Sequence, residues 1–547
     1  MALAAALIFA SVTGLCSCKQ TPAKSGDATG SAVGATPAPT PSPSGGPQVI
    51  ACGAQGCPPD PGTPKDGGEL VVHVDVEPAI LCDLVEHDVW SRWIVENQIA
   101  ETLFFQDPWS GALSPRLAEK WEADGDKTLT LHTRAGVTWH DGHPFSAADV
   151  AFTLDRARDP KVGADQRADL EPISKIDQPD DHTLVFTLGR PAPYLRQALA
   201  HISILPKHLY EGKDLRRAAP SRAPVGTGPF KFVRWKAGEE LVVEKNANYW
   251  GAKAHLDRIV FRIVRDKQVA YELYKRGELD VLWRLQSGRN ADEARVDAAL
   301  ANHRMLVWTP RAYFFIVWNT KKFPDPRVRR ALTALVDRAR FTQIAFAGHA
   351  RPVTGPYPPG TPSYDATLPA LPYDPKAAKA LLDEAGVKGL KLTFLSTAGS
   401  RTVEQLATLL KEDFARVGIE LDVATVDWAV LLDRLRHHAF DASSLQWTMS
   451  LEQDNYNMFH SSQGEAGQNY GLWKNAAADA LLEKIRLTSD DNARHALDRQ
   501  LHALIQEQQP YTFLSSPEVA TLEAPRVHGL LPSTDGFSFA SAWVEPR

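Results

Sequence analysis

Between residues 391 and 447 the hydrophobic period switches four times, and no other stretch restricts the fold as tightly. Leu392 and Phe394 alternate with polar residues, the two-residue period of a strand. Val403, Leu406, Leu410, Phe414 and Val417 then recur at helical spacing, and Gly418 ends that face. Ile419, Leu421 and Val423 return to period two, Val430, Leu431 and Leu435 share a helix face, and a last strand-like run ends at Trp447. Strand, helix, strand, helix, strand is an α/β lobe with a parallel sheet. A short helical crossover predicts the last two strands to be parallel neighbours. Trp428 then lies just past the end of the first of them, and Trp447 at the end of the second. Ligands bind outside the carboxyl ends of strands in open α/β sheets, so both indoles are expected to face one crevice. The polar loop carrying Glu452, Asp454, Asn455 and Asn457 follows, and would complete that wall.

At 547 residues the chain is long enough for two or more lobes, taking roughly 100–200 residues per domain. A content of 44% hydrophobic and 23% charged residues fits a soluble globular protein. The 66 acids and 60 bases leave a formal charge of −6 with no basic block, which argues against a nucleic-acid partner. No apolar run reaches the roughly 20 residues that a spanning helix needs.

The apolar run at residues 1–15, MALAAALIFASVTGL, has the length of a signal-peptide core. Leu15-Cys16-Ser17-Cys18 resembles a bacterial lipobox, which implies removal of residues 1–17 and lipidation of the Cys18 thiol. Residues 18–66 are rich in Pro, Gly, Ser, Thr and Ala and read as a flexible tether that cannot bury enough apolar surface to fold. Cys52 and Cys57 fall inside it, where an oxidising compartment permits a disulfide. Two cysteines alone are a weak metal signal. Cys82 is expected to be a buried or free thiol.

From Gly67 onward an ordered set of short motifs appears. Leu117-Ala118, Trp121-Glu122 and the Asp124-Gly125-Asp126 turn precede Trp139-His140-Asp141-Gly142-His143-Pro144. Ser146 and Asp149 form a capping box that opens a helix through Val150 and Leu154. Pro224-Val-Gly-Thr-Gly-Pro229-Phe230, Asn246 to Gly251 (NANYWG), Gly277-Glu278-Leu279-Asp280 and Trp318-Asn319-Thr320 follow. Asp325-Pro326 and Asp374-Pro375 each pair an N-cap with a proline at the first helical position. Behind Asp325 the buried stripe is expected at Val328, Leu332, Leu335 and Ala339. This series, from about Gly67 to about Pro517, closely resembles the family 5 extracellular solute-binding proteins, the peptide and nickel class of ABC-transporter receptors. Trp139 stands where the family usually has Phe.

The resemblance implies an α/β, two-lobed periplasmic binding protein fold of type II with an inserted subdomain. One lobe would hold residues 67–106, 221–308 and 510–547, the insertion 107–220, and the second lobe 309–509. In that family, tryptophans matching Trp447 and Trp428 line the ligand crevice, and Asn469-Tyr470-Gly471 borders it. An aspartate three residues after the crevice tryptophan pairs with a peptide's α-amino group; here that position is Ser450, which offers a hydroxyl and no charge. Asp454 or Glu452 would have to substitute. On this view Trp447→Ala weakens ligand binding and leaves stability nearly intact. The implied receptor is a monomer with no cofactor, held at the cell envelope by its lipid anchor. It closes about hinges near the two crossovers and delivers a peptide or other small polar solute to an ABC permease with a separate ATPase. The alternatives are a receptor for a metal chelate or glycoside, a signalling lipoprotein that kept the fold, and a hydrolase.

No enzymatic motif accompanies these features: GxSxG, HExxH and a Walker A loop are absent. Gly226-Thr-Gly228 lacks the third glycine and the lysine of a phosphate loop and reads as a structural turn. His140-Asp141 beside His143 is explained by the Asp-Gly turn, with solvated side chains, better than by a metal. His437-His438 suits a surface helix end.

Overall fold

The computed structural model describes residues 45–547, except 54–55, 59–61, 86–87, 97, 165, 287–288, 466 and 534–535. All of these lie in one unit, residues 41–547. The expected signal segment, Cys18 and the first part of the tether fall outside the described residues.

Three large sheets organise the chain. The first has eight strands in the spatial order Gln48–Ala51, Arg304–Trp308, Val519–Glu523, Val281–Gln286, Glu69–Val74, Arg258–Ile263, Glu240–Lys245 and Phe230–Lys236. Its edge strand comes from the segment expected to be a tether. Gln48–Ala51 pairs parallel with Arg304–Trp308, and a Cys52–Cys57 disulfide closes the turn behind it. Val49 and Ile50 supply the apolar surface that the flanking Pro/Gly/Ser sequence lacks. Cys82 is a buried free thiol, which burial pushes up to about 12.

The second sheet runs Glu420–Val426, Lys391–Thr397, Ala442–Thr448, Ala312–Trp318 and Tyr511–Phe513. The first three strands are mutually parallel and the last two antiparallel to their neighbours, so the sheet is mixed. Glu420–Val426 and Ala442–Thr448 are therefore not neighbours; Lys391–Thr397 lies between them. The reason is polarity: Glu420, Asp422, Val423 and Thr425 are exposed, which suits an edge, whereas Leu392, Phe394 and Leu395 are buried on both faces. The helix Trp428–Arg436 buries Leu431 and Leu435 but leaves Val430 exposed. The helix Pro326–Ala334 buries Val328 and Leu332, with Leu335 at its cap, and stops there. Asp337 caps a new helix, Arg338–Phe346, which turns Ala339 outward.

The third sheet is antiparallel, in the order Ala118–Asp124, Thr128–Thr133, Thr183–Leu188 and Ile173–Asp180, and belongs entirely to residues 107–220. Its core gathers around Trp139 and the helix Ala147–Arg158, opened by the Ser146–Asp149 capping box. The turn at residues 139–142 locks this part to the glycine-rich return. Gly226 N–H donates to His140 Nδ1 (3.2 Å), so the Nε2 of His140 carries its proton and donates to the Gly228 carbonyl (3.0 Å). His140 is thus packed rather than solvated, and burial lowers it to about 4. Cβ atoms at Gly226 and Gly228 would sit 1.8 Å from the Ile99 carbonyl oxygen and 2.4 Å from that of Gln98, so close backbone packing accounts for both glycines.

Two connections join the first and second sheets. Residues 309–311 link Arg304–Trp308 to Ala312–Trp318, and residues 514–518 link Tyr511–Phe513 to Val519–Glu523. They run side by side, because Trp308 pairs with Val519 and Phe315 with Phe513. The C-terminal return to the first sheet therefore begins at Val519, not at residue 510. Tyr511–Phe513 stays in the second sheet and Ser515–Pro517 pairs with Ala350–Pro352.

Candidate functional site

A cavity of about 540 Å³ opens where the three sheets' neighbourhoods meet. One wall is the helix Val89–Val95, opened by Asp88, which accepts from Ser91 N–H at 2.8 Å. Arg92, Trp93 and Glu96 face the cavity, and Arg284, held at φ +53°, places its guanidinium 5.8 Å from the Trp93 ring. The insertion supplies Asp169, from the short helix Arg167–Leu170, with Tyr194 and His201. The second sheet supplies Thr448 through Asp454, which continue the strand Ala442–Thr448 beyond its end. Arg311, on the connection itself, donates to the Pro108 carbonyl at 2.7 Å and lines the cavity between the walls.

The site holds charges of both signs, and most are paired within the wall. Glu452 accepts from Arg494 (2.9 Å) and His495 (3.0 Å). Burial raises the Glu452 carboxyl, but these donors hold it below the usual range. Asp454 is bonded to Arg486 (2.6 Å), whose guanidinium sits 3.8 Å over the Tyr456 ring. Asp169 differs: its carboxylate accepts no hydrogen bond from a described residue, although its N–H donates to the Gln166 carbonyl at 3.1 Å. Burial and the neighbouring Asp454 carboxylate push it up to about 7, against the pull of Arg486 and Arg190. A cation entering beside Asp169 would meet an acid that gains by ionising.

Of the residues expected from sequence, Ser450, Asp454 and, in the same polar loop, Glu452 and Asn457 line the cavity, whereas Asn455 of that loop does not. Ser450 is exposed, and its N–H donates to Gln453 Oε1 at 3.1 Å, leaving the hydroxyl free to face a ligand. Trp428, Trp447 and Asn469 do not line it either. Trp428 is 54% exposed at the start of a helix that follows the edge strand, so the edge position carries it away from the cavity. Trp447 is half-buried, stacked on Phe315 and Tyr470. Asn469 is buried with its amide committed: Nδ2 donates to the carbonyls of His460 and Trp473, and Oδ1 accepts from Trp473 N–H. The sequence reading missed Arg92, Arg284, Arg311, Asp169 and Tyr194. Each sits on a different element, and none carries a local periodic signal.

The profile of the bacterial extracellular solute-binding proteins, family 5 (middle region), matches residues 112–470. The chain is 28% identical over 512 residues to the oligopeptide-binding protein AppA of Bacillus subtilis (strain 168), covering 88% of this chain and 93% of that one. The solved structure of AppA in complex with a nonapeptide superposes with a TM-score of 0.75, covering 88% of this chain and all of that one at 27% identity. The dipeptide-binding protein of Escherichia coli (strain K12) is 30% identical over 438 residues, 74% of this chain and 81% of its own. The binding protein AgaA in complex with agropinic acid, from A. tumefacien R10, superposes with a TM-score of 0.72 at 26% identity, covering 88% and 99% of the two chains.

Proposed function

The chain belongs to the family 5 bacterial extracellular solute-binding proteins, and on that premise we propose that it is the substrate-binding receptor of an ABC importer, with a peptide or peptide-sized zwitterion as its solute. The observation that carries this reading is the 540 Å³ cavity, whose walls come from three separate parts of the chain and present both carboxylates and guanidiniums. A zwitterion needs both signs. Asp169, whose carboxylate accepts no hydrogen bond from a described residue, meets the ammonium end; Arg92, Arg284 and Arg311 stand on the side where a carboxylate can be received.

In this reading one lobe comprises residues 67–106, 221–308 and the chain from 519, with residues 107–220 inserted in it, and the second lobe comprises 309–517. Closure turns about the connections at 309–311 and 514–518, and contacts from both walls stabilise the closed form. The protein acts by binding and not by catalysis. It acts as a periplasmic monomer, lipidated at Cys18 and so anchored in the cell envelope, and hands its solute to a permease served by a separate ATPase.

Ser450 favours a second reading, a non-peptide polar solute, because a hydroxyl replaces the charge that would hold an α-ammonium. AgaA provides a precedent for such a ligand on this fold. Mass spectrometry of solute released from the purified protein, followed by titration with that solute and with a tripeptide in free and N-acetylated forms, separates the two. Tight binding of the free tripeptide and loss on acetylation support the peptide reading. Indifference to acetylation, with a non-peptide recovered, sinks it.

A further inference from the structure

Three donors meet on the surface of the insertion, away from the cavity. Asp141 and His143 flank Gly142 in the turn that follows Trp139, and His208 lies in the short helix Lys207–Tyr210, far along the chain. Asp141 Oδ2 is 2.8 Å from His208 Nε2, and Asp141 Oδ1 is 3.2 Å from His143 Nδ1. The two imidazole rings stack with centroids 4.1 Å apart and planes 26° from parallel. One ligand atom from each residue falls within 4.8 Å of the other two.

We propose that Asp141, His143 and His208 form a binding site for a borderline divalent cation such as Zn²⁺ or Ni²⁺. Imidazole nitrogen with one carboxylate oxygen is the donor set these ions take, and three protein ligands leave a fourth position for water. Tetrahedral zinc bonds of about 2.0–2.1 Å place neighbouring ligand atoms roughly 3.3 Å apart. The spacings of Asp141 from the two histidines, 3.2 Å from Oδ1 and 2.8 Å from Oδ2, are near that value and all three donors fall within 4.8 Å, so rotation of the exposed side chains brings one donor from each onto a common ion.

The frame is organised before any ion arrives. His143 N–H donates to Asp141 Oδ1 at 3.2 Å, and Gly142 at φ +91° allows the tight turn. The helix that carries His208 is anchored where Lys207 N–H donates to Asp149 Oδ1 at 2.9 Å, and Asp149 belongs to the capping box of the helix Ala147–Arg158. His140, next to Asp141, spends both ring nitrogens on Gly226 and Gly228 and is not a ligand. That clamp gives the site its consequence. An ion bridging the turn to the His208 helix stiffens the segment through which the insertion grips the return at residues 224–230. The site lies outside the solute cavity, so occupancy does not depend on solute.

The test uses the full chain freed of metal with EDTA and titrated calorimetrically with Zn²⁺, Ni²⁺ and Mg²⁺. Expected are one Zn²⁺ or Ni²⁺ per chain, no saturable Mg²⁺ binding, and a rise in Tm with Zn²⁺. His143→Ala and His208→Ala should each weaken Zn²⁺ binding by more than the roughly 10–100-fold that loss of an outer-shell partner costs. The exposed His143 makes the first of these safe for folding. Asp454→Asn, in the solute cavity, should leave Zn²⁺ binding unchanged. Co²⁺ should give visible absorption bands in the wild type that disappear in both histidine variants. Absence of saturable Zn²⁺ binding by the wild type, or equal affinity in His143→Ala and wild type, overturns the proposal.

Discussion

Trp447 lies against Phe315 with ring centroids 5.9 Å apart and planes 13° from parallel, and Tyr470 covers its other face at 6.3 Å. Phe315 continues the stack onto Tyr511 at 4.6 Å, so the indole sits inside a column of rings that runs from Tyr470 to the edge strand Tyr511–Phe513 of the second sheet. Its Nε1 has no acceptor among the described residues. This placement makes Trp447 a packing residue. Trp447→Ala should cost about 2–3 kcal/mol, below the ~3–5 typical of full burial because the ring is half-buried. Trp447→Phe should cost under about 1 kcal/mol, since it keeps the stack and removes an unpaired donor. Urea unfolding measures both, and solute affinity per folded molecule should not change. A fall in affinity at unchanged stability would return Trp447 to the ligand wall.

The insertion approaches the second sheet's wall closely at Gly111, which has φ +73°. A Cβ there would come 1.9 Å from Leu451 Cδ2, on the opposite wall. Gly111→Val should therefore oppose the closed arrangement and weaken solute binding at least tenfold. The left-handed backbone adds a stability cost of about 1–2 kcal/mol. Fluorescence titration against solute reads the first effect and thermal unfolding the second. Wild-type affinity in Gly111→Val would show that the two walls do not meet there when solute is bound.

The strand Gln48–Ala51 sits at an edge, and the Cys52–Cys57 bridge follows it directly. So short a loop contributes roughly 2 kcal/mol at most, and locally. Cys52→Ser with Cys57→Ser should leave the main unfolding transition nearly in place while exposing residues 45–57 to protease. Limited proteolysis with mass mapping of the first cuts decides it; equal protection in wild type and variant would mean that the strand holds without the bridge.

Much of this architecture was readable locally. The caps at Asp325, Asp374 and Ser146 mark helix starts because they satisfy backbone N–H groups within three residues. The alternation at Leu392–Phe394 marks a strand for the same kind of short-range reason. Sheet order was only partly readable: the polar residues Glu420, Asp422 and Thr425 suit an edge, but nothing local says that Lys391–Thr397 will take the place beside Ala442–Thr448. The cavity was half readable. Ser450 and Asp454 extend a strand end and follow a rule, while Arg92, Asp169, Arg284 and Arg311 look like ordinary surface charges until the fold gathers them. His208 beside His143 is the same case, a pairing made only by tertiary structure.

His140 gives a pH signature. Its folded value of about 4 lies below the ~6.5 of an unfolded histidine, so the unfolded chain takes the proton first. Stability is then complete above pH 6.5 and falls as the pH drops toward 4, by about 3 kcal/mol from this group. His502, lowered to about 4 by burial, acts in the same direction, so the difference between wild type and His140→Asn isolates the His140 share. Denaturant unfolding at pH 7.5 and pH 5 should show a smaller loss in the variant. An identical pH slope in both proteins would remove His140 as the source.

Asp169 has the opposite sign. Its carboxyl, pushed up to about 7 by burial and by Asp454, holds a proton in the solute-free protein at pH 6 and loses it above pH 7. Because the unfolded carboxyl titrates near 3.9, the folded chain binds more protons between pH 4 and 7, and this group's ionisation destabilises the empty protein as the pH rises. An ammonium brought beside Asp169 reverses the preference and expels the proton. Affinity for a cationic or zwitterionic solute should then rise with pH up to about 7, approaching one proton released per solute, and level off above. Calorimetry in two buffers of different ionisation enthalpy counts that proton directly. Asp169→Asn should abolish the release, weaken binding at pH 8, and make the empty protein more stable at that pH. An anionic solute predicts the reverse, proton uptake and no loss in Asp169→Asn, so the sign of one calorimetric difference decides which end of the ligand this carboxylate meets.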